Sequence, residues 1–255
     1  MLGPSTGWPS AGEIPRERAA PLVLENVNSK RRVKIADAND SIAAGLRGFG
    51  PLGILAILVI VASQLLAPLS AVLVLIWAKR SRTPWHEIGY VRPRSWLGGL
   101  VIGVAFGIAL KLLTKAVVMP LLGADSANQT YHYLVGNVAA VMAFIPYMIV
   151  TAGFGEETFF RGYLFERFGK LIGHSPGAKI VTVLLTSVAF SSLHYFDQGW
   201  AGAQQATITG LVFGTIFAFT GRIWTLMWAH AAYDLTAVAM IYWGLESSVA
   251  HFVFK

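Results

Sequence analysis

Three short motifs place ionisable side chains within hydrophobic stretches of this 255-residue chain. They are Glu156-Glu157-x-x-x-Arg161, Phe190-x-x-x-His194 and His230-x-x-x-Asp234. Ionisable groups are costly inside a bilayer, so they indicate a functional site by default. A carboxylate with histidines around a water molecule suits hydrolysis, because the carboxylate takes a proton and a histidine orients the water or stabilises the oxyanion. The same donors could instead bind zinc with one open position, through His194, His230 and Glu156.

The two adjacent glutamates are predicted to play different parts. Neighbouring residues project about 100° apart on an α-helix, so Glu156 and Glu157 cannot share one face. Arg161 follows Glu157 by four residues, which is the favourable order for an ion pair along a helix. We therefore expect Arg161 to neutralise Glu157 and to leave Glu156 free for acid–base chemistry. The alternative is that both carboxylates lie on a solvated helix face.

The third motif places two polar groups on one face of a helix. His230 and Asp234 are four residues apart, so their side chains point the same way. One interpretation is that both residues belong to a catalytic site. The alternative is that His230 is a buried histidine whose hydrogen-bonding groups are satisfied by Asp234, in a polar pair that stabilises helix packing.

The elements that position these motifs are predicted to be membrane-spanning helices. Hydrophobic residues make up 55% of the chain and charged residues 13%, whereas an average soluble domain has about 25% charged residues. We predict an all-α fold, a polytopic transmembrane helical bundle with an intramembrane cavity and about six spans, within a range of six to eight. The predicted spans, each judged by length and apolarity, are 51–78, 96–122, 137–170, 178–193, 201–220 and 223–243.

Composition shifts divide the chain into four predicted segments. They are a disordered or surface-bound basic N-terminal tail at 1–49, N-terminal transmembrane helices at 50–135, a catalytic helical core at 136–245 and a C-terminal tail at 246–255. The chain contains no cysteine, which excludes disulfides, zinc fingers and a thiol nucleophile.

The motifs are predicted to meet at one depth in the bundle. The turn signal Gly-His-Ser-Pro-Gly at 173–177 makes the flanking helices an antiparallel hairpin. Both helices rise about 1.5 Å per residue, so residues whose numbers sum to about 350 share a level. Glu156 then shares a level with His194. His230 lies at the same level if the hairpin extends two to three helical turns beyond the turn at 220–222.

The net charge of +7 lies in blocks between apolar runs. Two basic connections, 79–94 and 161–179, are expected to be cytoplasmic because cytoplasmic loops carry excess Lys and Arg. No basic stripe with interleaved aromatics is present, so we expect no nucleic-acid partner. With six spans, the basic N-terminal tail would lie on the non-cytoplasmic side, which the excess of Lys and Arg in cytoplasmic segments disfavours. Either a re-entrant segment near 43–55 changes this arrangement, or the tail is an exception to the rule.

The three motifs, in this order, resemble the signature of the CPBP family. This family contains CAAX-type prenyl endopeptidases and bacteriocin-processing or self-immunity (Abi) proteins. Phe159-Phe160-Arg161-Gly162 and Thr220-Gly221-x-x-Trp224 are also similar to it. The resemblance covers about residues 150–240 and implies an all-helical membrane core whose cavity hydrolyses peptide bonds.

The resemblance also implies roles for the motif residues. Glu156 would activate water, and His194 and His230 would position the water or stabilise the oxyanion. Glu157 and Arg161 would shape the site. A metal-free glutamate mechanism is favoured for better-known members, so we expect no cofactor, with zinc as the alternative.

Asp234 departs from the family pattern, because prenyl endopeptidase members usually have Asn there. An ionised Asp only accepts hydrogen bonds, whereas Asn can donate one to an oxyanion. Asp234 is therefore expected to orient His230 or another donor.

The sequence thus predicts an intramembrane endopeptidase, glutamate-type or metal-dependent, acting on a membrane-associated protein or peptide. Its surroundings would be a lipid bilayer, and its location the bacterial inner (plasma) membrane as a multi-pass protein. The alternative is a non-proteolytic membrane scaffold or bacteriocin-immunity protein that uses the same fold.

Overall fold

The computed structural model describes residues 37–254 together with positions 3, 31, 32 and 34. Most of the predicted tail at 1–49 therefore lies outside the described residues. The structure is 81% helical, with no strand among the residues it describes, and the predicted all-α fold is confirmed.

Eight helices make up the described chain. They are α1 Asp37–Arg47, α2 Pro51–Ala62, α3 Ala67–Arg80, α4 Trp96–Leu113, α5 Val138–Ile172, α6 Pro176–Thr220, α7 Trp224–Tyr242 and α8 Glu246–Ala250. A π-helical turn at Thr114–Val118 extends α4 to Leu121. α4, α5 and α6 are long and apolar enough to cross a membrane, and a fourth span results if the bent pair α1–α2 is counted as one. The chain is therefore an integral membrane protein.

The prediction of one continuous span at 51–78 is wrong, because the chain breaks into α2 and α3. The backbone of Leu66, with φ −123° and ψ 66°, is not helical. Pro68 follows, and proline lacks the N–H that would continue the preceding helix. Trp77 near the end of α3 donates to the Leu46 carbonyl at 3.0 Å, so α3 must return along α2. Near 43–55, where the charge pattern calls for a re-entrant segment, α1 and α2 are bent by 57°, as in a broken span or a re-entrant loop.

The α2–α3 hairpin places the basic connections together at one end of the bundle. Arg47, the last residue of α1, pairs with Glu87 at 3.0 Å. The Ile223 amide donates to the Gly89 carbonyl at 3.0 Å. We call this the basic end because its connections and helix termini carry many cations. These are Lys79, Arg80, Arg82, Arg92, Arg94, Lys170, Lys179 and Arg222. The connections at the opposite end, 63–66, 122–137, 197–200 and 243–245, contain no Lys or Arg.

α6 reverses direction at Gly199, whose φ of 65° and ψ of −158° are not helical. Its arms, residues 176–198 and 200–220, correspond to the predicted fourth and fifth helices. The arms pack side by side, since the Ser191 hydroxyl donates to the Ala203 carbonyl at 2.9 Å. α5 packs antiparallel to the first arm. The Phe160 and Phe190 ring centroids lie 4.9 Å apart, which is the level pairing that the predicted hairpin requires.

α7 contacts α4 and α5 through main-chain atoms at glycines. A Cβ added to Gly107 would lie 2.1 Å from the Ala229 carbonyl oxygen, and one added to Gly103 would lie 2.6 Å from that of Thr225. On α5, a Cβ at Gly153 would lie 2.8 Å from the Met227 carbonyl oxygen. Small residues at such spacing let helices approach closely in membranes, and here they fix α7, which carries the third motif.

The segment predicted as a C-terminal tail, 246–255, contains a helix that packs on the bundle. Glu246 at the start of α8 is buried. Its carboxylate pairs with Lys115 at 3.3 Å and accepts from the Asn128 amide at 3.1 Å.

Candidate active site

A cavity of about 400 Å³ inside the bundle brings the three motifs together. Glu156, His194, His230 and Asp234 line it, together with residues from α4 and from both arms of α6. Glu157 and Arg161 lie behind its wall. The cavity opens toward the end opposite the basic end, where Asn128 in the connection before α5 lines it.

The glutamates sit where α5 departs from regular α-helical geometry. Residues Ile149–Glu156 and Thr158–Leu164 are π-helical, and such turns occur frequently at functional sites. The wider turn changes the directions of the side chains. Glu157 and Glu156 therefore approach opposite nitrogens of one imidazole, that of His230. Only Glu156 lines the cavity, whereas Glu157 is fully buried, so the two carboxylates differ in burial as well as in helix face.

Glu157 is fully buried and holds two donors. Its Oε1 accepts from Arg161 Nη1 at 2.9 Å and from His230 Nδ1 at 2.7 Å. The ion pair with Arg161 agrees with the i,i+4 expectation. Because the paired carboxylate accepts, His230 Nδ1 carries the proton and Nε2 is directed to the cavity.

Arg161 is fixed from several sides. Its Nη2 donates to the Thr209 carbonyl at 3.4 Å. The guanidinium carbon lies 5.0 Å from the Phe190 ring centroid and 5.5 Å from that of Phe213. These contacts are cation–π interactions, so Arg161 and Glu157 form a rigid support behind His230.

Glu156 is the carboxylate that is left without a direct partner. Its Oε2 is buried and has no hydrogen-bond partner among the described residues. His230 Nε2 lies 3.7 Å from this oxygen and 3.9 Å from Asp234 Oδ2. These separations are too long for direct hydrogen bonds and suit a bridging water molecule.

His194 enters the cavity from the first arm of α6. Its Nδ1 lies 2.9 Å from the Phe190 carbonyl oxygen, which can only accept. Nδ1 is therefore the donor, and Nε2 of the neutral ring is an acceptor. The Phe190 ring packs against both histidines of the cavity, with centroids 4.4 Å from His194 and 5.8 Å from His230.

The zinc alternative requires His194, His230 and Glu156 to bind one ion. No group of three or more His, Cys, Asp or Glu side chains in the described part of the chain is placed to bind a metal ion. His194, His230 and Glu156 line one cavity but do not form such a group.

The site also contains residues that the motifs did not indicate. Phe213, Thr209 and Gln205 come from the second arm of α6 and resemble ordinary residues of an apolar helix. Lys111 of α4 faces the bundle and lines the cavity. Its charge inside a span was the only signal.

Tyr90, in the connection before α4, supports α5 next to the glutamates. The Thr158 hydroxyl donates to the Phe154 carbonyl at 2.7 Å, so Tyr90 donates to Thr158 Oγ1, also at 2.7 Å. Burial raises the pKa of Tyr90 to about 12, which keeps this donor protonated. At the cavity opening, burial first and the charge of Asp234 second raise the pKa of Tyr131 to about 12.

Fold and site together define a class, that of helical integral membrane proteins with a carboxylate–histidine cavity inside the bundle. Residues 138–236 match the sequence model of the family described as type II CAAX prenyl endopeptidase Rce1-like. This match supports the resemblance to the CPBP family of CAAX-type proteases that the motifs indicated. In general terms, this family match supports the function of an intramembrane CAAX endopeptidase. No curated protein and no solved structure matches the chain.

Proposed function

We propose that this protein is a glutamate-type intramembrane endopeptidase that hydrolyses a peptide bond in a membrane-associated protein or peptide. The observation that carries the proposal is the state of Glu156. It lines the cavity, its Oε2 has no hydrogen-bond partner among the described residues, and His230 Nε2 lies 3.7 Å away. The match to a protease family over this segment supports the same reaction.

Glu156 acts as the general base in the proposed mechanism. Its carboxylate takes a proton from a water molecule, and the resulting hydroxide forms a bond to the peptide carbonyl carbon. The carbonyl oxygen becomes an oxyanion. The C–N bond then breaks as Glu156 gives its proton to the departing amine nitrogen, which restores the carboxylate.

The two histidines supply the remaining hydrogen bonds. Neutral His194 accepts from the attacking water at Nε2, because its Nδ1 is committed to the Phe190 carbonyl. Protonated His230 donates from Nε2 to the oxyanion, since Glu157 holds its Nδ1. Donors fixed in advance stabilise the oxyanion without reorganisation. Asp234, 3.9 Å from the same Nε2, orients the ring or a water and donates nothing when ionised.

A scaffold or immunity function is the less favoured alternative. A structural role accounts for Glu157 and Arg161, which form an ion pair behind the cavity wall. It does not account for Glu156, which lines the cavity and whose Oε2 has no hydrogen-bond partner among the described residues.

The proposed reaction is tested with a library of internally quenched peptides and the purified protein in detergent. We expect cleavage by the wild-type protein to be unchanged after dialysis against a metal chelator, because no described side chains form a metal-binding group. Cleavage that is lost with the chelator and returns with zinc would contradict the glutamate mechanism. The sequence around the cleaved bond then gives the substrate preference.

We further propose that the protein lies in a bacterial plasma membrane with its basic end in the cytoplasm. Cytoplasmic connections carry the excess of Lys and Arg, and here every such connection lies at that end. The cavity opens at the other end. Its substrates are therefore segments that reach the cavity from the non-cytoplasmic face.

The absence of cysteine from the chain makes this orientation directly testable. Thr130→Cys places one thiol at an exposed position beside the cavity opening, and His174→Cys places one at an exposed position of the basic end. In spheroplasts we expect a membrane-impermeant maleimide to label Thr130→Cys, and to label His174→Cys only after lysis. The reverse pattern would overturn the orientation and would leave the catalytic proposal untouched.

A further inference from the structure

Lys111 on α4 is a buried cation at the wall of the catalytic cavity. The residue is 7% exposed and lines the same space as Glu156 and His230. Its Nζ donates to Gln205 Oε1 at 2.6 Å and lies 4.6 Å from the Tyr233 ring centroid. Both partners are uncharged, so neither supplies an opposite charge.

Neither neighbouring carboxylate forms an ion pair with Lys111. Asp234 lines the cavity, and its Oδ2 lies 3.9 Å from His230 Nε2. Glu246 pairs with Lys115, one turn further along the same helix, at 3.3 Å. No carboxylate of the described residues forms an ion pair with Lys111. Lys115 thus has an ion-pair partner and Lys111 has none within ion-pair distance, although a buried charge is costly unless it is paired.

We propose that Lys111 is a substrate-binding subsite for a carboxylate, which supplies the missing counter-charge when a peptide occupies the cavity. The carboxylate belongs to an aspartate or glutamate side chain, or to the C-terminus of the peptide. An ion pair in a poorly solvated cavity is stronger than one in water, so it selects acidic substrates. This inference rests on the proposed function, because it names the class of peptide that the protease takes.

Gln205 gives the subsite a fixed geometry. It holds the Lys111 ammonium at 2.6 Å and lies one turn before Thr209 on the second arm of α6. The Thr209 carbonyl in turn accepts from Arg161 at 3.4 Å, which supports Glu157 and His230. The cation and the reacting groups are therefore held by one framework, and a carboxylate bound at Lys111 sets the position of the peptide relative to Glu156.

The test measures binding, so it does not depend on turnover. Immobilised Glu156→Gln protein is incubated with random hexapeptide libraries that contain or lack Asp and Glu, each with a free or an amidated C-terminus. Bound peptides are quantified by mass spectrometry. We expect carboxylate-containing peptides to be enriched about thirtyfold, the effect of a buried charge pair. Enrichment that survives amidation assigns a side-chain carboxylate, and enrichment that is lost assigns the C-terminus.

Variants of Lys111 in the same background complete the test. Lys111→Met should remove the enrichment, and Lys111→Arg, which keeps the charge, should retain it. Equal binding of carboxylate-containing and neutral amidated peptides would overturn the subsite, as would a preference that persists in Lys111→Met. The Lys111→Met/Asp234→Asn protein tests whether Lys111 only balances the charge of Asp234. If the preference for carboxylate-containing peptides returned in this double variant, Lys111 would have that balancing role alone, and the subsite would be overturned. Failure of the proteolytic proposal would show separately, as absence of cleavage by the wild-type protein.

Discussion

Replacement of Glu156 by Gln is expected to abolish peptide cleavage while the protein stays folded. Glutamine has nearly the same shape but cannot take a proton from water, and general acid–base catalysis contributes about 10²–10⁴-fold to a rate. The Oε2 atom has no partner among the described residues, so a change at this atom breaks no hydrogen bond within them. Initial rates of cleavage of one peptide measure the loss of activity. Resistance of the variant to unfolding by detergent, compared with the wild-type protein, measures whether it stays folded.

Glu87→Gln is the matched control for this substitution. Glu87 lies at the basic end, pairs with Arg47 at 3.0 Å and has a side chain 32% exposed. The same chemical change there should leave the cleavage rate within about twofold, because surface ion pairs contribute little. A Glu156→Gln protein that cleaves at the wild-type rate would refute the assignment of the general base.

Arg161→Met is expected to lower the free energy of unfolding by about 3–5 kcal/mol, the cost of breaking a buried ion pair from one side. The substitution leaves the Glu157 carboxylate, 0% exposed, without its cation. In the Glu157→Gln/Arg161→Met protein the uncompensated charge is gone, so most of the stability should return. Unfolding by SDS titration in mixed micelles of the single and double variants gives the coupling energy of the pair.

Lys170→Met is the matched control for Arg161→Met. Lys170 pairs with Glu166, also at i,i+4, but its side chain is 27% exposed and Glu166 keeps Arg167 as a second partner. Its loss should cost no more than about 1 kcal/mol. If Arg161→Met proved as mild as this control, the pair behind His230 would not be the rigid support that its burial indicates.

Much of the site could be predicted because it depends on regular helix geometry. The i,i+4 spacing indicated the Glu157–Arg161 pair, and a constant rise per residue placed Glu156 level with His194. The contact between Glu157 and His230 was not predictable in this way. It joins residues 73 positions apart and depends on a π-helical stretch that no simple periodicity reveals.

The elements that sequence analysis missed are those where tertiary contacts outweigh local pattern. The run 51–78 is apolar enough for one span, and only the Leu46–Trp77 contact reveals that it folds back. α8 is a short polar segment at the end of the chain, and it is held by the pairing of Glu246 with Lys115. Neither partner indicates the other in the sequence.

The glycine contacts of α7 limit how this protein can diversify. At Gly107 and Gly153 the nearest neighbouring atoms are main-chain atoms of α7. A larger residue at either glycine therefore cannot be accommodated by a smaller side chain on the facing helix. A larger side chain at these positions should displace α7 and, with it, His230. The connection at 122–137 carries no such constraint over most of its length and borders the cavity opening. New cleavage specificities should therefore arise by exchange of that connection, with the interior inherited unaltered.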